Sequence, residues 1–393
     1  MNSYDLPLRY GVNPHQTPAR VLRGEGSNAL PFTVLNGAPG YINLLDALNA
    51  WQLVKELRDT LQLPAAASFK HVSPAGAAVA VPLSDSLHSA YAVESVTLSP
   101  LATAYARARG GDSVSSFGDM AALSDVVDVP TARLLRREVS DGVIAPGYEP
   151  EALQMLRRKK GGSYVVLQID PDYAPPLLER REVFGVTFEQ RRNDRMPGPE
   201  LLQEIVTAET ELPSAAVRDL LVATLAVKYT QSNSVCLAAD GQVIGLGAGQ
   251  QSRIHCTRLA ADKADLWHLR QHPSVLGLSL RPKLSRAERN NAIDRFLLEE
   301  LTAAETEAWL QAFTAPPTRL TADEKREWLS TLQDVALSSD AYFPFRDNVD
   351  RASRSGVRYV AQAGGSNRDD EVIDAANEYG IVMAFANLRL FHH

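Results

Sequence analysis

Short apolar runs alternate along the chain with longer stretches in which apolar residues recur every three to four positions. The short runs predict buried strands, and the longer stretches predict amphipathic helices. Helices are expected at 42–61, 131–137, 149–159, 214–229 and 369–379, and strands at 65–69, 143–145, 164–169, 357–362 and 381–386. This alternation is typical of an α/β fold.

The alternating pattern occurs as two series, separated by a polar, proline-bearing region at about 172–212. In the second series, apolar runs at 234–239 and 242–246 flank Asp240-Gly241, which predicts a β-hairpin. Residues 281–333 are rich in charge and helix formers and predict a helical insertion. We therefore expect two domains, over 1–190 and 191–393, with the insertion at about 281–335 of the second.

The composition and net charge limit the kinds of protein that this sequence can encode. The 393 residues, 45% hydrophobic and 22% charged, are those of an ordinary globular chain too long for one hydrophobic core. A net charge of -7 argues against general binding to nucleic acid or to a membrane surface. The two cysteines, Cys236 and Cys256, lie outside any zinc-binding spacing. Because no apolar run has the length of a signal peptide or a membrane span, we expect a cytoplasmic protein.

Residues 68–76 set two proton-handling side chains next to each other at the end of a predicted strand, before a Ser-Pro-Ala-Gly sequence that predicts a turn. Strand ends face ligands in α/β proteins. Lys70 offers a compact cation, and His71 offers a base that can be neutral at pH 7. Together they suit deprotonation of a nucleophile and stabilisation of charge on its target, although a solvated loop is the default interpretation of such a pair.

Two further motifs are less specific. The glycines at 245–249 precede a predicted helix near Gln250 that carries Arg253, which suits a small anion or equally a plain glycine turn. Their spacing does not match a dinucleotide site. Residues 339–348 crowd aromatic rings around charged side chains, which suits a flat heterocycle or the edge of a core.

Several longer strings occur in one order along the chain, at 8–16, 36–40, 70–71, 115–119, 140–146, 228–234, 249–255, 340–347 and 387–393. Together they closely resemble the transformylase domain of the bifunctional purine-biosynthesis enzymes that carry formyltransferase and inosine monophosphate (IMP) cyclohydrolase activities. The resemblance covers residues 8–393.

The resemblance implies an AICAR transformylase. This enzyme transfers the formyl group of 10-formyltetrahydrofolate to the 5-amino group of 5-aminoimidazole-4-carboxamide ribonucleotide (AICAR) in purine biosynthesis. By the same resemblance His71 accepts the proton of this weakly nucleophilic amine, and Lys70 stabilises the oxyanion or helps to protonate the departing folate nitrogen. Asn233 completes the expected catalytic set by orienting the substrate carboxamide.

The resemblance also implies the remaining contacts. The residues expected to bind the nucleotide are Arg9, Tyr10, Asn36, Gly37, Gly118, Asp141, Arg253, Tyr342 and Arg389. The residues expected to bind folate are Phe117, Ile254, Pro344, Asp347, Asn348, Gly365 and Ser366. Arg9 and Arg389, from opposite ends of the chain, suit a monophosphate clamp. The segment at 36–40 also suits a simple turn before a helix.

For the architecture, the resemblance implies a tandem duplication of a cytidine-deaminase-like three-layer α/β/α fold and a homodimer with shared active sites. It also implies a potassium ion near Val227, Thr230, Ser232 and Ser234. The sequence lacks the H-x-E and C-x-x-C motifs of zinc deaminases, so we expect neither zinc nor deamination.

One departure from the family concerns the start of the chain. In the family a cyclohydrolase domain precedes the segment at 8–16, whereas seven residues precede it here. We therefore expect no cyclohydrolase activity and a separate cyclohydrolase polypeptide as partner, unless the chain is an excised domain of a longer protein.

Two alternative functions remain. A catalytically silent paralogue would bind or sense the nucleotide or the folate without turnover. An ATP- and formate-dependent ligase of the same nucleotide would need a triphosphate site, and the sequence lacks the G-x-x-x-x-G-K-[ST] motif.

Overall fold

The computed structural model describes residues 6–24, 29–298 and 300–393. The first half contains β1 (Leu6–Leu8), β2 (Ala19–Val21), β3 (Phe32–Asn36), α1 (Tyr41–Leu61), β4 (Ala65–Lys70), β5 (Ser73–Val79), α2 (Asp85–Ala90), α3 (Pro100–Gly111), β6 (Asp119–Leu123), α4 (Val129–Arg137), β7 (Ser140–Ala145), α5 (Pro150–Arg157) and β8 (Val165–Ile169). A hairpin of β9 (Leu178–Val183) and β10 (Val186–Arg191) follows. The second half contains α6 (Ser214–Lys228), β11 (Val235–Ala239), β12 (Gln242–Gly247), α7 (Arg253–Leu269), α8 (Pro273–Leu276), α9 (Arg286–Leu297), α10 (Ala303–Leu310), α11 (Ala322–Leu329), β13 (Val335–Ser339), α12 (Asp347–Ser353), β14 (Val357–Gln362), α13 (Asp369–Glu378) and β15 (Val382–Phe385).

These elements confirm the predicted α/β alternation, with boundaries displaced by a few residues. The expected helix at 214–229 is α6, the expected strand at 357–362 is β14, and the helical insertion forms as α9, α10 and α11. The predicted turn at 73–76 is wrong, because these residues begin β5.

One eleven-stranded sheet runs through both halves in the order β15-β14-β13-β11-β12-β5-β4-β6-β7-β8-β3. The halves meet where β12 pairs antiparallel with β5, at Gln242 and Ala78. Gln242 is fully buried at this junction, where its side chain accepts a hydrogen bond from Arg107 and donates one to the Tyr91 hydroxyl. Backbone pairing and buried polar contacts therefore join the halves.

The two halves share one order of elements. In each, a helix (α1 or α6) leads into a hairpin (β4–β5 or β11–β12), and another helix (α3 or α7) leads into three parallel strands (β6–β8 or β13–β15). The first of these parallel strands pairs antiparallel with the first hairpin strand in both halves. The insertion lies between α7 and β13 of the second half only.

Helices cover both faces of the sheet. Buried side chains of α1 and α6 pack on one face, and those of α3, α4, α5, α7, α12 and α13 pack on the other. The insertion has a separate small core that includes Phe296, Trp309 and Phe313. Arg286 at the start of α9 contacts Glu138 at 2.7 Å and so attaches the insertion to the first half. None of the helices in the described ranges is long and apolar enough to cross a membrane.

The glycines at 245–249 do not form the loop expected before a helix. Gly245 and Gly247 lie within β12, and α7 begins only at Arg253. A Cβ on Gly245 would lie 2.0 Å from the carbonyl oxygen of Ala260, and one on Gly247 would lie 2.3 Å from that of Cys256. These glycines therefore let α7 pack closely against the sheet.

Candidate active site

The expected catalytic pair lies at the tip of the β4–β5 hairpin. Lys70 pairs with Ser73 across the hairpin, and His71 and Val72 form the two-residue turn with φ of 53° and 61°. Positive φ at both turn positions is the type I′ geometry that suits the twist of paired strands. Lys70 is half-buried and its ammonium donates to the carbonyl oxygen of Phe117 at 2.6 Å, whereas His71 is exposed.

A cavity of about 350 Å³ opens beside this turn. Five residues predicted from the sequence line it, namely Tyr10, Lys70, His71, Gly118 and Asp141. They come from separate parts of the first half, so the fold brings together side chains that are distant in sequence. A base, a cation and a carboxylate consequently face one space large enough for part of a small ligand.

Buried polar contacts fix β4, the strand that carries Lys70, against the start of β6. The Ser68 hydroxyl donates to the carboxylate of Asp119 at 2.6 Å, and Arg109 donates to the same carboxylate at 2.7 Å. Burial raises the pKa of Asp119, although Arg109 favours its ionised form. Because Phe117 and Gly118 directly precede Asp119, this network fixes the carbonyl that binds Lys70.

Asp46, which was not predicted from the sequence, also lines the cavity. It lies on α1, is 5% exposed, and its Oδ1 accepts a hydrogen bond from the backbone N–H of Val72 at 2.7 Å. Burial raises the pKa of Asp46, whereas the Val72 N–H and the nearby His71 favour its ionised form. The available signal was an acidic residue on the apolar face of a predicted helix.

The structure gives Asn36 and Gly37 a packing role. The Asn36 amide donates to the carbonyl oxygens of Gly162 and Tyr164, at 3.0 and 2.8 Å. Gly37 has φ of 76°, and a Cβ there would lie 2.8 Å from the Tyr164 oxygen. The turn therefore docks against residues 162–164, and its expected contact with a nucleotide stays a prediction.

The predicted residues of the second half form a different cluster. The Arg253 guanidinium forms an ion pair with Asp340, and it donates to the Asn233 side-chain oxygen at 2.8 Å and to the Ser234 carbonyl at 3.0 Å. Arg253 is 7% exposed and Asp340 is fully buried. The Asp340 carbonyl in turn accepts from the N–H of Leu390, so the C-terminal segment with the exposed Arg389 passes beside this cluster.

Replacing Asp340 with alanine is expected to lower the free energy of unfolding by about 3–5 kcal/mol, because it leaves the buried Arg253 without its carboxylate. Urea denaturation measures the loss. Asp323→Ala is the control, since the Asp323–Arg326 pair is highly exposed and should contribute less than about 1 kcal/mol. Equal losses for the two variants would contradict a stabilising role for the buried pair.

The residues expected to bind folate are divided between the two halves. Phe117 is exposed in the first half, and the others lie near the starts of α7, α12 and α13. The Asp369 carboxylate accepts hydrogen bonds from the N–H groups of Gly365 and Ser366, and these bonds shape the turn at 365–366. Asn348 is fully buried and hydrogen-bonds to Thr257 and to Phe345, so its side chain supports the local fold.

Oxygen atoms at 227–234 were the expected potassium ligands. Val227, Thr230 and Ser234 are buried, and Ser232 is half-buried. The Ser234 hydroxyl is buried without a hydrogen-bond partner among the described residues. Across the described ranges, no group of three or more His, Cys, Asp or Glu side chains is arranged to hold a metal ion.

The fold is that of an α/β protein in which a lysine–histidine turn lies beside a cavity that Asp46 and Asp141 also line. The family model described as AICARFT/IMPCHase bienzyme matches residues 2–263, and the chain belongs to this family.

Relatives named "Bifunctional purine biosynthesis protein PurH" align along almost the whole chain. The protein from Magnetococcus marinus is 32% identical over 391 residues, which cover 98% of this chain and 59% of the relative. Those from Xylella fastidiosa and Xanthomonas campestris pv. campestris are each 30% identical, over 98% and 99% of this chain and 58% of each relative. The chain thus spans less than two thirds of the length of these relatives.

Proposed function

We propose that this protein transfers the formyl group of 10-formyltetrahydrofolate to the 5-amino group of AICAR, giving formyl-AICAR and tetrahydrofolate in the synthesis of IMP. The observation that carries the proposal is the cavity in which Lys70 and His71 meet Tyr10, Gly118 and Asp141. Membership of the AICARFT/IMPCHase bienzyme family supports this choice of substrates.

The chemistry requires a base and a cation at one place. The amine of AICAR is conjugated with its ring and is a weak nucleophile, so it needs to lose a proton as it attacks the formyl carbon. The exposed imidazole of His71 takes that proton. The ammonium of Lys70, oriented by the Phe117 carbonyl, stabilises the oxyanion and supplies a proton to the folate nitrogen when the carbon–nitrogen bond breaks.

Binding of the nucleotide phosphate is assigned to Arg9 and Arg389. Both side chains are exposed, and each guanidinium lies over an aromatic ring, at 5.9 Å from the centroid of Tyr10 and 4.8 Å from that of Phe391. In a chain with net charge -7, such local arginines are the groups that suit a phosphate. Asn233 orients the carboxamide, and Tyr342, which is 45% exposed, offers a stacking face.

We further propose a homodimer whose active sites are shared between subunits. The first-half residues line the 350 Å³ cavity, whereas Arg253 contacts Asn233 and Asp340 in the second half, and none of these three residues lines that cavity. A second copy would bring the second-half cluster of one subunit to the cavity of the other. The β9–β10 hairpin supports association, because all its residues are exposed, including Phe184 and Phe188.

For the architecture, we propose a tandem duplication of a cytidine-deaminase-like unit, with domains over 1–190 and 191–393. The shared order of helix, hairpin, helix and three parallel strands supports the duplication. The hairpin β9–β10 lies across the proposed boundary at 190.

We propose that potassium binds near Val227, Thr230, Ser232 and Ser234. Hydroxyl and carbonyl oxygens suit a hard cation, and the unpartnered Ser234 hydroxyl supports the fit. The ion would supply a fixed positive charge beside Asn233.

Folate is proposed to lie between Phe117 of one half and Ile254, Pro344, Asp347 and the Gly365-Ser366 turn of the other.

A formyl-transfer assay tests the proposed activity directly. AICAR and 10-formyltetrahydrofolate are incubated with the protein, with and without a separate cyclohydrolase that removes the product, and tetrahydrofolate formation is followed by absorbance. Product formation in the coupled assay is expected. Tight binding of AICAR without turnover in that assay would contradict the enzyme and support the silent paralogue, and dependence on ATP and formate would support the ligase.

A further inference from the structure

The shared order of elements provides an internal comparison for the turn that carries His71. In the second half, the turn between β11 and β12 consists of Asp240 and Gly241, with φ of 50° and 73°. It therefore has the same two-residue, positive-φ geometry as His71 and Val72. The two turns occupy the same place in the two halves, yet the cavity adjoins only the first.

In each half, an aspartate on the helix that precedes the hairpin accepts hydrogen bonds from backbone N–H groups of the turn. Asp46 is the sixth residue of α1 and accepts the N–H of Val72 at 2.7 Å. Asp219 is the sixth residue of α6 and accepts the N–H groups of Asp240 and Gly241, at 2.9 and 2.6 Å. Their exposures are 5% and 4%, so the two carboxylates are closely matched in burial as well as in position.

The first turn needs this support more than the second. Glycine adopts positive φ without steric cost, and it occupies the second position of the Asp240-Gly241 turn. Valine at φ of 61° is strained, because its branched Cβ crowds the backbone. Binding of the Val72 N–H by a buried carboxylate stabilises this conformation and thereby fixes the Cα of the adjacent His71.

We infer that Asp46 is a positioning residue for His71, and that it acts through the backbone of the turn. The inference rests on the proposed formyl transfer, in which His71 needs to meet the AICAR amine at one defined place. Displacement of a reacting group by about 1 Å lowers turnover about 100-fold, and substrate affinity depends far less on it. Asp219 holds its own turn in the same way but has no part in the reaction.

The test compares variants of the two aspartates in the intact chain. Asp46→Ala is expected to lower kcat about 100-fold with little change in KM for AICAR. Asp46→Asn, whose side-chain oxygen still accepts the Val72 N–H, should restore kcat to near the wild-type value. Asp219→Ala, the control at the corresponding position, also removes the hydrogen bonds from Arg218, so it should lose at least as much thermal stability while retaining the wild-type kcat.

A second measurement is independent of activity. Asp46→Ala should accelerate deuterium uptake in the peptide that spans the His71-Val72 turn, and Asp219→Ala should do so only in the peptide that spans the Asp240-Gly241 turn. An inactive wild type with this exchange pattern would overturn the proposed function and leave the structural role of Asp46 established. Unchanged exchange at the first turn, equal kcat losses for Asp46→Ala and Asp219→Ala, or failure of Asp46→Asn to restore kcat would overturn the inference.

If Asp46→Ala does not fold, Asp46→Glu replaces it. The added methylene moves the carboxylate while keeping its charge, so the kcat loss and the faster exchange at the first turn are again expected. A folded Asp46→Glu enzyme with wild-type kcat would contradict a role that depends on the position of the acceptor.

Discussion

Replacing His71 with alanine is expected to lower kcat for formyl transfer by about 10²–10⁴-fold, the usual contribution of a positioned general base. The affinity for AICAR should stay near the wild-type value, because His71 is exposed at the tip of a hairpin and its removal leaves the other cavity residues in place. Steady-state kinetics in the coupled assay and calorimetric titration with AICAR measure the two quantities.

His88→Ala is the control for this experiment. His88 lies on α2, a separate short helix of the first half, and its removal should leave kcat unchanged. If His71→Ala turned over at the wild-type rate, the assignment of the base would be wrong. A parallel loss of AICAR affinity would instead indicate that His71 acts mainly in binding.

Mixing two inactive variants is expected to restore activity if each active site takes residues from both subunits. His71→Ala alters the first-half part of the site, and Asn233→Ala alters the second-half part. In a mixed dimer, one site receives both substitutions and the other receives neither. Random exchange of subunits should therefore give about one quarter of the wild-type activity.

The control pairs two substitutions from the same part of the site. A mixture of His71→Ala with Lys70→Ala should stay inactive, because every first-half site then carries one of the two substitutions. If the mixture of His71→Ala with Asn233→Ala also stays inactive after subunit exchange has been verified by mass spectrometry, the site is not shared. The proposed assignment of residues to two subunits would then fail.

Periodicity of apolar residues predicted α1, α4, α5, α6 and α13 and the strands β4, β7, β8, β14 and β15, because burial against the sheet sets that period. It did not predict β3, β6 or β13. Residue type was misleading at 73–76, where Pro74 and Gly76 resemble turn residues. Gly76 lies within β5, and a Cβ there would meet the Ala108 carbonyl oxygen at 2.0 Å. The glycine therefore allows α3 to pack closely against β5. A sequence pattern does not distinguish a glycine needed for close packing from a glycine in a turn.

The turn at His71 and Val72 was not predicted from the sequence, for a related reason. His71 and Val72 are poor turn residues by intrinsic preference, and their conformation depends on strand pairing and on a carboxylate from α1. Lys70, His71, Gly118 and Asp141 were found because they belong to distinctive strings. Asp46 was not, since its contact with Val72 exists only after α1 packs against the hairpin.

The sheet continues across β5 and β12, and this continuity affects how each half would behave if it were isolated from the other. Both strands are largely buried, and their edges meet at Gln242 and Ala78, beside a hydrogen bond from the Val79 N–H to the Gly241 carbonyl. An isolated half would present an apolar strand edge with unpaired backbone groups, which is the kind of surface that aggregates. The second half therefore protects the hairpin of Lys70 and His71 from self-association, whatever else it contributes to the reaction.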